Sequence, residues 1–308
     1  MRAFIFPGQG SQSVGMGAAL AGASRAARDV FDEVDEALGQ GLFRLMREGP
    51  EEDLRLTENA QPAIMAHSIA VLRTLGVSLD DVARFVAGHS LGEYSALCAA
   101  GSFDLATTAK LLKLRGEAMQ VAVPVGQGAM AALLGADIAL ATRIAETASE
   151  GEVCTIANDN DPSQVVISGT RDAIDRAVQI AKDMGAKRAV LLPVSAPFHC
   201  PLMQPAAEAM ADALSYVVVG NPDVPLFSNV TAEPTRDADT IRNQLVEQVT
   251  GMVRWRESVA NMAHAGVEEF VEIGGKVLGS MVKRILPDAK ATSVVTIEDI
   301  EVLAKELA

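Results

Sequence analysis

The sequence predicts an α/β fold with a largely parallel sheet and a small domain inserted into it. Three observations carry this prediction. Strands and helices alternate from the first residues, the order changes to β-α-β-β-α-β between residues 128 and 192, and turn-rich segments flank that stretch. The first strand is Arg2 to Phe6, an apolar run stopped by Pro7-Gly8. Apolar residues at helical spacing place helices near Ala18 to Leu38, Pro62 to Leu75, Glu93 to Ala100 and Leu105 to Val121, with a buried strand over 83 to 88 between them. The inserted stretch reads as strand (Ala129 to Leu134), helix (Asp137 to Ala148), strand (Val153 to Ala157), strand (Gln164 to Ser168), helix (Arg171 to Met184) and strand (Arg188 to Leu192). That order is a ferredoxin-like unit. Pro124 to Gly128 and Pro193 to Pro197 bound it and are suited to act as hinges. After Phe198 the alternation resumes, with a strand near Pro225 to Asn229, helices near Ala238 to Thr250 and Arg256 to Ala265, and strands at Glu269 to Ile273 and Ser293 to Ile297. The expected division is residues 1–125 and 197–308 for the large domain and 126–196 for the insert, with a cleft between them as the expected ligand site.

Composition narrows the function classes. The 308 residues are 49% hydrophobic, enough for a large core, and carry a formal net charge of −14. That charge repels nucleic acid and anionic lipid, and no basic, aromatic-interleaved segment offsets it, so nucleic acid is not an expected partner. No segment is apolar for the length of a membrane span, and the first apolar run is too short for a signal-peptide core, so a soluble, cytoplasmic protein is expected. Cys98, Cys154 and Cys200 are odd in number and widely spaced, which suggests neither a disulfide framework nor a zinc site. No metal or cofactor is expected.

The most informative motif is Gly88-His89-Ser90-Leu91-Gly92-Glu93-Tyr94, a serine between two glycines where a strand turns into a helix. Such a turn is a nucleophile elbow, with the hydroxyl projecting at the amino end of a helix. A serine hydroxyl is a weak nucleophile and needs a neutral imidazole to take its proton. Of the four histidines, His89 is fixed beside Ser90 in the turn, and His67 and His264 lie on predicted helices. His199, opening a helix in Pro197-Phe198-His199-Cys200-Pro201, is the best candidate base, against the alternative of a polar helix start. Cys200 is read as a small buried thiol, not a nucleophile. Arg115, among apolar residues of the helix after the elbow, requires an anion, either a structural Asp or Glu or a substrate carboxylate. The glycine-rich loop Phe6-Pro7-Gly8-Gln9-Gly10-Ser11-Gln12 lacks a phosphate-binding pattern. Its Gln9 N–H is suited to pair with the Leu91 N–H as an oxyanion hole.

Taken with Asn158, Gln164-Val165-Val166-Ile167-Ser168-Gly169, Pro197-Phe198-His199 and Gln248, these motifs resemble the malonyl-CoA:acyl carrier protein transacylase family over nearly the whole chain. The resemblance implies an α/β-hydrolase-like large domain carrying the ferredoxin-like insert. It implies a ping-pong transfer of malonyl from malonyl-CoA through Ser90 to the phosphopantetheine thiol of acyl carrier protein, for fatty acid synthesis. His199 is then the base, oriented by a main-chain carbonyl near Gln248, Gln9 and Leu91 hold the oxyanion, and Arg115 grips the malonyl carboxylate. Gln61, His89, Asn158 and Phe198 are implied as pocket or orienting residues. For an acidic carrier, a docking patch is expected from Lys187, Arg188, Lys276, Lys283 and Arg284. Two rival readings use the same elbow or fold: a serine hydrolase with water as final acceptor, and a non-catalytic docking protein.

Overall fold

A computed structural model describes residues 1–307 and places ten strands in two sheets. In chain order the strands are β1 (Arg2–Phe6), β2 (Phe85–Gly88), β3 (Gly128–Leu134), β4 (Cys154–Asp161), β5 (Gln164–Thr170), β6 (Arg188–Leu191), β7 (Leu226–Phe227), β8 (Pro234–Thr235), β9 (Glu269–Ile273) and β10 (Lys290–Val294). The larger sheet has the order β10-β9-β1-β2-β7-β8 and is parallel except for the β7–β8 pair. Its central strands β1 and β2 are buried along nearly their whole length, as parallel strands covered on both faces must be. The smaller sheet, β4-β5-β3-β6, is wholly antiparallel. Helices Ile138–Ser149 and Arg171–Ala181 connect β3 to β4 and β5 to β6.

Period-two alternation assigns the two faces of β3. Ala129, Ala131 and Leu133 pack with Ile144 and Ile174 of the smaller unit's helices. Met130 and Ala132 point the other way, into the main core. A one-residue slip would exchange these sets, which is why the register is fixed. The strand β4 also joins Val253 and the helices Trp255–His264 and Leu278–Ile285. Asp159 N–H donates to the Val253 carbonyl at 3.0 Å, Val253 N–H donates to Ala157 at 2.8 Å, and the buried carboxylates of Asp159 and Asp161 pair with Arg256 and Arg284 at 2.8 and 2.7 Å. The flanking turns expected to act as hinges are therefore accompanied by a hydrogen-bonded, charge-paired join.

Several expected elements shift for identifiable reasons. The helix over 18–38 breaks into Ala18–Ala23 and Arg25–Leu38, because the Ser24 hydroxyl caps the second by accepting from Ala27 N–H at 3.3 Å. The helix expected from Pro62 begins earlier, at Thr57, and holds Pro62 in its second turn. His199 opens no helix. Cys200 precedes Pro201 and is held extended (φ −142°, ψ 168°), so the chain turns first through Pro201–Met203 and the helix Gln204–Ser215 follows. The strand expected at 293–297 lies at Lys290–Val294, and Ile297–Leu307 is helical. No helix among the described residues is long and apolar enough to cross a membrane.

Candidate active site

Parallel pairing sets Phe6 beside Gly88, so the loops leaving the carboxyl ends of β1 and β2 run side by side. Ligand sites of open α/β sheets form at such ends. The approach is close enough to require glycine at both sides of the elbow. A Cβ on Gly88 would stand 1.9 Å from the Gly92 carbonyl carbon, and one on Gly92 would stand 2.3 Å from the Phe6 carbonyl oxygen. Between them Ser90 takes φ +54°, a left-handed conformation that non-glycine residues rarely hold. One side chain fixes this turn from both directions. Asn229 Oδ1 accepts from Ser90 N–H at 2.8 Å, and Asn229 Nδ2 donates to the Gly88 carbonyl at 2.7 Å.

Ser90 Oγ lies 2.8 Å from His199 Nε2, and His199 Nδ1 lies 2.8 Å from the Gln248 main-chain carbonyl. A carbonyl only accepts, so Nδ1 carries the proton and Nε2 is left free to accept from the serine hydroxyl. Burial, and secondly the nearby Arg115 charge, lower the His199 pKa to about 3, which keeps the ring neutral. His199 itself sits at φ +58°.

Arg115 comes from the helix Leu105–Val121 and is 1% exposed. Its neighbour Gly116 lets that helix press against the backbone of Thr57 and Glu58, where a Cβ would meet the Glu58 Cα at 2.5 Å. The same contact brings Gln61 within reach. Arg115 Nη1 donates to Gln61 Oε1 at 2.8 Å, and Nη2 donates to Gln248 Oε1 at 2.9 Å and to Ser90 Oγ at 3.2 Å. No carboxylate among the described residues lies within 4.0 Å of this guanidinium, and its Nε–H has no partner. Glu93 acts on this guanidinium electrostatically from behind Gln248 without touching it, and the fork's own hydrogen bonds go to neutral groups, so it retains a demand for an anion.

A cavity of about 410 Å³ opens over these groups. Gln9, Gln61, His89, Leu91, Asn158 and Phe198 line it together with Ser90, His199 and Arg115. Neither the Gln9 nor the Leu91 backbone N–H donates to an acceptor among the described residues, and both residues line the cavity. His89 does not turn to the serine. Its Nε2 meets Asn160 Oδ1 at 2.8 Å, and its ring lies 5.8 Å from that of Trp255. Gln248 stands behind the cavity and reaches it through its hydrogen bonds.

The geometry sets a histidine within hydrogen-bond reach of a serine beside a buried cation. A family model described as acyl transferase domain matches residues 3–296. The malonyl CoA-acyl carrier protein transacylase of Escherichia coli K12 is 44% identical over 94% of both chains. The chain belongs to the malonyl-CoA:acyl carrier protein transacylase family. It is an acyltransferase. In structure it is similar to an acyl-carrier-protein S-malonyltransferase from Bartonella henselae, 52% identical with a TM-score of 0.97 over 99% of each chain. A malonyl-transacylase solved in complex with a type II polyketide synthase acyl-carrier protein is 40% identical, with a TM-score of 0.96 over 99% of each chain.

Some residues around the acyltransferase site carry no obvious sequence motif. Asn229 holds the elbow from the loop after β7, and only its place at the carboxyl end of a parallel strand could have marked it. Glu93, within the elbow motif, is 1% exposed, and burial raises its pKa to about 7 against the lowering effect of Asn229, Gln248 and Arg115. At the cavity mouth, Glu51 and Arg55 form an exposed i,i+4 pair. Of the expected basic patch, Arg284 is committed to the buried Asp161, and Lys283 donates to the Ala289 carbonyl.

Proposed function

We propose that this acyltransferase moves the malonyl group from malonyl-CoA to the phosphopantetheine thiol of acyl carrier protein through a malonyl-Ser90 intermediate, supplying malonyl carrier for fatty acid elongation in the cytoplasm. One observation carries the reading. A buried guanidinium with no carboxylate partner lies 3.2 Å from the same Ser90 Oγ that His199 approaches to 2.8 Å. In malonyl-CoA one methylene separates the thioester carbon from a carboxylate, so attack by Ser90 places that carboxylate at the Arg115 fork.

His199 Nε2 takes the hydroxyl proton as Ser90 Oγ bonds to the thioester carbon. The Gln9 and Leu91 N–H groups stabilise the oxyanion. The carbon–sulfur bond then breaks, and the CoA thiolate leaves with the proton held by His199. The carrier thiol enters, gives its proton to His199 and attacks the malonyl ester, and the proton returns to Ser90 as the ester breaks. Arg115 also tunes the base. Its charge is one cause of the low His199 basicity, so a bound carboxylate that neutralises it raises that basicity. Malonyl-CoA therefore activates its own acylation, and acetyl-CoA, which leaves the charge uncompensated, does not. Gln61 holds the Arg115 fork, Phe198 and Asn158 shape the cavity, and His89 braces the elbow through Asn160.

The architecture fits an α/β-hydrolase-like domain over residues 1–125 and 197–308 with a ferredoxin-like subdomain over 126–196, and the strand order β4-β5-β3-β6 supports the latter. Lys187, Arg188 and Lys276 are the proposed carrier contacts. Initial rates measured while both malonyl-CoA and carrier are varied test the scheme. Parallel double-reciprocal lines are expected. Intersecting lines, or release of free malonate at the same rate without carrier, would overturn it in favour of direct transfer or hydrolysis.

A further inference from the structure

The elbow's Glu93 stands in the first turn of the helix Gly92–Ala99, where an acidic residue ordinarily faces the free N–H groups of the helix start. Its carboxylate faces elsewhere. Oε1 accepts from the Asn229 backbone N–H at 3.1 Å, and Oε2 accepts from the Gln248 side-chain Nε2. No Lys, Arg or His nitrogen among the described residues lies within 4.0 Å of it. Gln248 in turn touches every active group. Its Nε2 donates to the Ser90 carbonyl at 3.0 Å, its Oε1 accepts from Arg115 Nη2 at 2.9 Å, and its main-chain carbonyl holds His199 Nδ1 at 2.8 Å.

We propose that Glu93 is a positioning residue of this site: together with the Ser90 carbonyl, its ionised carboxylate draws the NH₂ end of the Gln248 amide away from Arg115 and so aims the guanidinium fork at the substrate carboxylate. In the structure both Glu93 oxygens accept, the arrangement of its ionised form, which has no hydrogen to give and so turns the Gln248 NH₂ toward it and Oε1 toward Arg115. The reversed amide would set NH₂ against guanidinium donors. A glutamine at position 93 has one acceptor end and one donor end. It satisfies Asn229 N–H or Gln248 Nε2, and turns N–H groups against the other. The inference rests on the acyl-transfer reading above, since it concerns how Arg115 is aimed at malonyl.

The test is the rate of Ser90 acylation by malonyl-CoA and by acetyl-CoA, read by quenched intact mass, in the wild type, Glu93→Gln and Glu93→Asp, with melting temperatures alongside. In Glu93→Gln, malonyl acylation is expected to fall about 10- to 100-fold, acetyl acylation much less, so that the malonyl preference shrinks. Glu93→Asp keeps the acceptor-only carboxylate one methylene shorter and recovers part of the preference. It makes the same comparison if the glutamine variant does not fold. Equal loss with both thioesters in step with melting temperature assigns Glu93 a merely structural role and overturns the proposal, as does an unchanged malonyl rate. Failure of the wild type itself to form a malonyl adduct would instead overturn the acyl-transfer reading.

Discussion

Replacing Arg115 by alanine separates substrate recognition from serine activation, and the structure sets the size of the effect. The guanidinium is buried, donates to Gln61, Gln248 and Ser90, and has no carboxylate within 4.0 Å among the described residues. A malonyl carboxylate gripped by two N–H groups gains two charge-assisted hydrogen bonds at about 1.5 to 3 kcal/mol each. Their loss costs about 3 to 6 kcal/mol, or roughly 10²- to 10⁴-fold in kcat/KM for malonyl-CoA. Acetyl-CoA makes neither bond. Its acylation rate should hold or rise, because the variant no longer carries an uncompensated cation beside the acyl group. The assay is quenched intact-mass analysis of the Ser90 adduct with each thioester, with circular dichroism to verify folding. The preference for malonyl should collapse by the factor lost on malonyl-CoA. Parallel loss on both thioesters in a folded variant would refute the reasoning and leave Arg115 as a structural cation.

The remaining predictions concern the elbow, the base and acid stability. Gly88→Ala should destabilise the protein by about 3 kcal/mol or more, because its Cβ would stand 1.9 Å from backbone that cannot move aside; a melting temperature within a few degrees of the wild type would contradict that. His199→Ala should slow malonyl-Ser90 formation by about 10²- to 10⁴-fold with little change in folding, as followed by the same adduct. For the wild type, burial and Arg115 hold the His199 pKa at about 3, so acetyl-CoA acylation should show no fall centred near pH 6.5, and such a fall would disagree; malonyl acylation should weaken below about pH 7 as Glu93 takes up a proton. Stability should behave differently. His67 at about 4, His199 at about 3 and the lowered His89 bind fewer protons folded than unfolded, so their contribution is complete above about pH 6.5 and fades as pH falls below it. Glu93, raised to about 7, acts in the opposite direction between its unfolded value of 4.5 and 7, which cancels one of the three histidines. Thermal melts should therefore show lower stability at pH 5 than at pH 7.

Local signals were readable in the sequence where a single segment determines the outcome. The helices Leu105–Val121 and Ala238–Thr250 fall at their expected bounds, because apolar periodicity and the caps Asp104 and Asp237 agree there. The elbow was legible for the same reason, since strand, glycines and serine are contiguous. Less legible were the short helices Leu42–Glu48, Glu51–Arg55 and Leu79–Val82, which span too few turns to show a period. The backbone of His199 was misread because the effect of Pro201 on Cys200 outweighs the helical pattern that follows. Within the site, Ser90 and Arg115 announce themselves by motif and by charge among apolar neighbours. The groups that hold them do not. Asn229, 139 residues from the serine it fixes, and the Gln248 side chain, which meets Ser90, Arg115 and Glu93, act through contacts that only the folded chain creates.

The central claim is that malonyl rides on Ser90 and leaves only for the carrier. Its most direct measurement is time-resolved intact mass of the wild type and Ser90→Ala, first with malonyl-CoA and then after adding acyl carrier protein in its phosphopantetheine form. The account predicts a single malonyl adduct on the wild type, none on Ser90→Ala, and transfer of that mass to the carrier far faster than its loss to water. An adduct that persists in Ser90→Ala, or one that water discharges as fast as the carrier does, would contradict it.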